Sequence, residues 1–367
     1  MIAGLLWLVV GITGSAIVFV PELRRLEMPG WTRVKPAAHR LPLEMLGERV
    51  HSARPADRMV TIYFDFKPTW GLNFRSVAAN GDRIHTFVDQ YRGKLLGSIN
   101  YNHSALQWVY DLHANLLAGE AGNKVNACFA FALAMAASCG MLLWWRGRRY
   151  WKSGFEYRFR ANWKLQIWDL HNLVGFFFNL PLLLLSVSGA YFAFKPAYAS
   201  AVAAVTRGPA EIAPPRAVMP DAPRRSLDEI LESAERALPD STPSMMIFPA
   251  GRGEAFALRM RRARDPHRIG LNWVYVDPAT ARVLRVDRFD QQPLGVRIIR
   301  LMIPLHYGTI GGLATRVLWI FAGLMPGILF VTALLLWWNR VLVKKWARPG
   351  ALAESGGARA VVTEPRP

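Results

Sequence analysis

Four apolar runs, at roughly residues 2–20, 126–145, 167–194 and 314–338, constrain this chain more than any other feature. A hydrocarbon layer is crossed by about 20 helical residues, and inside it the backbone has to satisfy its own hydrogen bonds. Each run is too long for a strand and long enough to cross as a helix. The runs therefore predict an α-helical membrane protein with four transmembrane helices, where 367 residues alone would suggest two or three soluble domains.

Charge orients the helices. The short segment between the second and third runs carries Arg146, Arg148, Arg149, Lys152, Arg158, Arg160 and Lys164 against the single acid Glu156. Short basic loops stay in the cytoplasm, and Arg340, Lys344, Lys345 and Arg348 place the C-terminus on the same side. Both ends are then cytoplasmic and both long loops lie outside. The net charge of +19 is spread through every polar segment, so no nucleic-acid partner is expected. The first run has no basic n-region and no small-x-small site before Pro21, and reads as a retained helix. Cys128 and Cys139 fall inside one apolar run, as small packing residues without a disulfide or thiolate metal site.

The chain contains one unit twice. Leu112-His113 precedes Trp144-Trp145, and Leu305-His306 precedes Trp337-Trp338, with the interval from 113 to 144 equal to that from 306 to 337. A helix covers roughly 45 Å over that distance, so both histidines belong at one membrane boundary and the tryptophans at the other, as an aromatic belt. The first and third runs also match: Gly14 falls on Gly189, Phe19 on Phe194 and Pro21 on Pro196, all at one constant offset. The same offset applied to His171 points ahead of Met1. Either this copy has no such histidine, or the true start lies upstream.

Imidazoles at the edge of a helix bundle suit the axial positions of haem iron, and a histidine in a membrane is costly unless it is paired. His113 and His306 are the leading candidates. His103 is expected to face water, and His39, His51, His85 and His267 to be ordinary surface residues. Asp111 and Asp169, each two residues before a candidate histidine, either orient an imidazole or cap a helix. Arg316 is expected to meet a haem propionate or lipid headgroups. Pro181 and Pro326 are candidate kinks. Gly308 to Gly312, GTIGG, follows no strand and is not a dinucleotide fingerprint. There is no P-loop and no flavin, nicotinamide or zinc motif.

Each outer loop carries strand, turn, strand, over residues 86–99 and 274–286, with Asp89 and Asp277 opening the turns. Ser226 and Glu229 form a capping-box arrangement ahead of an amphipathic helix, after a proline-rich linker at 208–225. Two small outer α+β modules are expected. The organisation is helix 1 at 1–21, first module at 22–110, lead-in and helix 2 at 111–145, cytoplasmic loop at 146–165, helix 3 at 166–195, linker and second module at 196–303, lead-in and helix 4 at 304–339, and a tail at 340–367.

These features, with VDQYRGKLLG, VYVDPATARVL, DLHANLLAGEAG, WDLHNLVGFFFNLP and the closing LHYGTIGG…LLLWWNR, resemble the PepSY-associated transmembrane helix family. Within it, the chain is similar to periplasmic ferric-siderophore reductases of the bacterial inner membrane. The resemblance implies PepSY-like periplasmic modules, and haem b between the helices. His113 and His306 would hold an outer haem iron, and His171 an inner one whose partner in similar proteins lies near the start of the first helix. That position has no histidine here, which leaves the second haem in doubt.

The expected function is electron transfer from a membrane quinol or a separate donor to a ferric siderophore or similar chelate at the periplasmic face. The rival expectation is a non-redox, membrane-anchored PepSY protein that binds a ligand or regulates a peptidase. A transporter fits less well, because the repeats run in parallel and no run is a broken, charge-paired helix.

Overall fold

The computed structural model describes residues 1–343 apart from 66, 146–150 and 219–221. Of the basic residues used above for orientation, Arg146, Arg148, Arg149, Lys344, Lys345 and Arg348 lie outside the described residues. The described chain opens with α1 (Ile2–Ile17), α2 (Val20–Glu27), the single turn α3 (Pro29–Thr32) and α4 (Leu43–Ala53). Strands β1 (Arg58–Tyr63), β2 (Leu72–Val77), β3 (Arg83–Val88) and β4 (Leu95–Asn100) follow, then α5 (Ala105–Asn115) and the long α6 (Gly119–Trp144).

The second copy has α7 (Trp163–Phe177), α8 (Asn179–Tyr191), α9 (Lys195–Thr206) and α10 (Leu227–Ala237). It continues with β5 (Ser241–Ile247), β6 (Phe256–Arg262), β7 (Asn272–Val276), β8 (Val283–Asp287), α11 (Leu294–His306) and α12 (Gly312–Trp338).

The two α+β modules are not separate. Their strands form one antiparallel sheet in the order β4-β3-β2-β1-β5-β6-β7-β8. The copies meet where β1 pairs with β5, Ile62 opposite Met246. An unpaired strand edge is a template for association, and joining β1 to β5 satisfies one edge from each copy. It also merges the cores. Leu46 and Val50 of α4 and Leu227, Ile230 and Ala234 of α10 pack with Ile62, Phe74, Met246 and Leu258 in a single buried cluster.

The two helices on this sheet cap each other. Pro42 gives α4 no side-chain cap. Instead the Asp228 carboxylate of α10 accepts from the Leu43 and Glu44 N–H groups at 2.7 and 2.9 Å. In return Glu44 accepts from the Leu227 N–H at 2.7 Å and pairs with Arg224. Ser226 takes the Glu229 N–H at 3.2 Å, as its sequence context predicts. Asp89 and Asp277 hold their turns by accepting backbone N–H groups at 2.8–3.2 Å.

Two helices, Gly119–Trp144 and Gly312–Val341, are long and apolar enough to cross a membrane, and two bent pairs raise the number to as many as four. The third apolar run is one of those pairs. It breaks at Phe178, where α7 and α8 meet at 57°. Pro181 lies in the first turn of α8, where its missing N–H costs nothing, but it prevents α7 from continuing unbroken. Pro326 leaves α12 one continuous helix of 27 residues. The other pair is α1 and α2, at 63°. By the offset that relates Gly14 to Gly189, α1 corresponds to α8 and α2 to α9, and both α2 and α9 have a proline in their first turn.

Helices of different copies pack closely. A Cβ on Gly11 of α1 would sit 2.1 Å from the Gly323 carbonyl of α12, so only glycine permits that crossing. Ser15 donates to the Ile320 carbonyl at 2.9 Å. Across the bundle Asn179 of α8 donates to the Ala137 carbonyl of α6 at 2.8 Å.

Two expectations about these helices change. Trp144 is buried, with its ring 4.3 Å from Phe176 and 4.9 Å from Phe155, while Trp145, Trp337 and Trp338 are exposed as interface anchors would be. Trp144 closes the base of α6 against α7 and the basic loop. Cys128 and Cys139 are free and exposed on α6, so they do not pack the bundle.

Candidate functional site

The duplicated histidines meet. His113 lies in the last turn of α5 and His306 ends α11, and their ring centroids are 6.1 Å apart with planes inclined at 35°. Local chemistry fixes the helix ends. Ser104 caps α5 by accepting the Gln107 N–H at 3.1 Å. At its other end Asn126 donates to the His113 carbonyl at 2.7 Å and Asn123 to the Ala114 carbonyl at 2.9 Å. These bonds use carbonyls that have no partner within the helix. Leu116 and Leu117 then adopt left-handed backbone, so the chain turns from α5 into α6 within a few residues.

Both rings have a defined tautomer. His113 Nδ1 lies 2.9 Å from the Val10 carbonyl oxygen, an acceptor only, so Nδ1 carries the proton. His306 bonds the Leu185 backbone, and its Nδ1 lies 3.2 Å from Ser188 Oγ, whose own proton goes to the Leu184 and Leu185 carbonyls, so Nδ1 donates here too. On each ring the lone pair is therefore on Nε2. A backbone acceptor on the far nitrogen is the arrangement that orients a metal-bound imidazole and raises its basicity.

The separation fits a shared metal. Imidazole nitrogens bind metals at about 2 Å, and a ring centroid lies about 1 Å behind its nitrogen, so two imidazoles on opposite sides of one ion place their centroids about 6 Å apart. The protein supplies two nitrogens and little else. No group of three or more His, Cys, Asp and Glu residues converges among the described residues. A bare tetrahedral ion needs more protein ligands than this, whereas a macrocycle with four equatorial donors needs two axial ones. The residues present fit haem iron.

His171 stands apart from this pair. It lies on α7, with Nδ1 2.8 Å from Thr332 Oγ1 of α12. Thr332 itself donates to the Ile328 carbonyl at 2.8 Å, so its oxygen accepts the imidazole N–H and Nε2 again is left open. Among the described residues no other histidine ring contacts it. The structure thus joins His113 to His306 and leaves His171 single.

The neighbouring acids have other partners. Asp111 accepts from Gln107 and Asn115 on its own helix, at 3.1 and 3.4 Å. Asp169 is buried and takes the Arg158 backbone N–H at 3.0 Å and its guanidinium, so it anchors the basic loop. Arg316 is engaged within the protein. It forms a two-point pair with Glu22 of α2 at 2.7 and 2.8 Å, donates to the Val18 carbonyl and stacks over Phe19. Arg268, in the β6–β7 loop, joins the same carboxylate at 3.0 Å. One acid thereby links α2, α12 and the sheet.

Two histidines expected at the surface are buried. His85 stacks on Tyr101 at 3.8 Å and pairs through Nδ1 with Asn73 at 3.0 Å. Burial, then the charges of Arg24, Arg75 and Arg83, push its pKa down to about 3. His267 pairs with Thr309 at 2.8 Å, and burial with Arg259 and Arg268 pushes it down to about 3 as well. His103 is exposed beside Asp82, and His39 and His51 are exposed, as expected.

A family model described as the PepSY-associated TM region matches residues 1–340. The chain belongs to the PepSY-associated transmembrane family. None of the curated proteins matches it. This member of the PepSY-associated family is a membrane protein in contact with the lipid bilayer, with one antiparallel sheet joined to its candidate membrane helices.

Proposed function

We propose that this PepSY-associated membrane protein is a haem b-containing electron carrier of the bacterial inner membrane that reduces a ferric siderophore or similar ferric chelate at the periplasmic face. In this reading each bent pair counts as one span, both chain ends are cytoplasmic, and the joined sheet is periplasmic. The observation that carries it is the meeting of His113 and His306, with Nδ1 of each held by an acceptor on α1 or α8.

His113 and His306 would hold the haem iron. Bound haem supplies one-electron redox chemistry. The chain's own part is positional: Val10 and Ser188 fix the imidazole tautomers, Phe192 lies beside His306 with its ring 5.3 Å away, and α1 and α8 each lie against one ring. A haem held by both His113 and His306 would supply outer-sphere electron transfer in place of oxygen or chelate binding. Reducing the chelated Fe(III) to Fe(II) weakens its attraction to hard oxygen donors and frees it. No nicotinamide or flavin motif is present, so a membrane quinol or a separate protein is the donor. His171 would be the residue to hold a second haem, for which the described residues bring no partner histidine.

The test is a reduced-minus-oxidised spectrum of membranes carrying the wild-type protein, His113→Ala or His306→Ala. Each substitution is expected to remove the outer haem signal. A signal that survives both refutes the ligand assignment, and a colourless wild-type protein favours the non-redox binding or peptidase-regulatory alternative.

A further inference from the structure

The helices α1 and α8 present the same short device to the two imidazoles, each part of it related by the one offset that matches the two copies. In α1 the Val10 carbonyl accepts from His113, the Thr13 hydroxyl donates back to the Val9 and Val10 carbonyls at 2.8 and 3.1 Å, and Gly14 faces the ring. In α8 the Leu185 carbonyl accepts from His306, the Ser188 hydroxyl donates to the Leu184 and Leu185 carbonyls at 2.5 and 3.3 Å, and Gly189 faces the ring. Both helices thus offer a carbonyl, a hydroxyl three residues on, and a glycine one residue after that.

The glycines differ in how much room they leave. A Cβ at Gly14 would lie 2.7 Å from His113 Cε1 and 3.0 Å from its Nδ1, far inside the roughly 3.5 Å at which carbon atoms rest against each other. At Gly189 the nearest atom, His306 Cε1, would be 3.1 Å away. Cε1 lies between the two ring nitrogens, so any push on it moves Nε2. The Val10 and Leu185 hydrogen bonds draw each ring onto its helix, and the missing Cβ lets it reach the backbone. Other glycines in the bundle do not have this role. Gly11 meets the Gly323 carbonyl and serves helix packing, and Gly140 has nothing within 4 Å.

We propose that Gly14 and Gly189 are positioning residues that set the distance and tilt between the His113 and His306 imidazoles, with Gly14 the stricter of the two. The proposal rests on the haem reading above and adds what holds the ligands in register.

The experiment compares purified wild-type protein with Gly14→Ala, Gly189→Ala and Gly140→Ala. It reads the electron paramagnetic resonance of the oxidised form and the affinity for haem added back to stripped protein. Disturbing the groups that orient a metal ligand costs roughly 10–100-fold in affinity. Gly14→Ala should lose the low-spin signal to a high-spin one and bind haem about tenfold more weakly. Gly189→Ala should shift the g-values with a smaller loss of affinity, and Gly140→Ala should match wild type. If Gly14→Ala does not accumulate, Gly189→Ala decides the question, since its clash is a few tenths of an ångström. Wild-type g-values and affinity in Gly189→Ala, in a protein whose signal His306→Ala abolishes, would overturn the glycine proposal and leave the haem reading intact. A wild-type protein that takes up no low-spin haem would overturn both.

Discussion

Replacing Glu22 with glutamine removes the charge that joins the sheet to the helices, and the cost follows from what it leaves behind. The Arg316 side chain is only 11% exposed and would keep the Val18 carbonyl and the Phe19 ring as neighbours, with no anion. Breaking a buried pair from one side costs about 3–5 kcal/mol, whereas exposed pairs contribute at most about 1 kcal/mol. Glu22 is 37% exposed, so the cost falls between, at about 2 kcal/mol. In a chain of this size each kcal/mol moves the melting temperature by about 2 °C, which gives a loss of about 4 °C. Arg316→Met in the Glu22→Gln background removes the stranded charge and should recover about half of that loss. Arg268→Ala, at an exposed arm of the same pair, should cost about 0.5 kcal/mol. Thermal scans of all four proteins in one detergent at one scan rate provide the comparison. If Arg316→Met makes Glu22→Gln less stable still, the buried-charge argument is wrong.

Two further predictions concern the joined sheet. Asp228→Ala should expose the first turn of α4, because a lost cap costs about 1–2 kcal/mol, and hydrogen exchange at residues 43–46 should quicken by about tenfold while α12 is unchanged. Equal exchange in both proteins would refute the mutual capping. His85 and His267 both titrate near 3 when folded and near 6.5 when unfolded, so the unfolded chain takes up their protons first and stability falls as pH drops below about 6.5. Each contributes up to about 1.4 kcal/mol per pH unit, and His85→Phe should flatten the decline of melting temperature between pH 7 and pH 5 by about half. An unchanged slope would show that His85 is not held neutral.

Much of this architecture is legible in the sequence, because duplication turns weak local signals into paired ones. One histidine near an apolar run says little, but His113 and His306 at equal distances from their tryptophans specify one boundary, and the structure brings their rings together. The turns at Asp89 and Asp277 and the cap at Ser226 are local chemistry and read directly. The joining of β1 to β5 is not legible, since it pairs Ile62 of one copy with Met246 of the other, in strands whose alternation suits a free edge equally well. The break at Phe178 hides inside continuous apolarity, and only Pro181 hints at it. Burial of His85 and His267 does not show because their segments are polar overall. What buries them comes from elsewhere in the chain, with Tyr101 stacked on His85 and Thr309 holding His267. The setting of Arg316 is hidden for the same reason: its partner, Glu22, is 294 residues away.

Carbon monoxide provides the most direct test of the claim that His113 and His306 grip one iron from both sides. His171→Ala isolates the outer pair, and a carbon monoxide difference spectrum of the dithionite-reduced protein then reports whether the iron has an open place. Two protein imidazoles leave none, so the account predicts a haem b spectrum that carbon monoxide leaves unchanged. Rapid formation of a carbon monoxide adduct, or a His171→Ala protein with no haem at all, would contradict it.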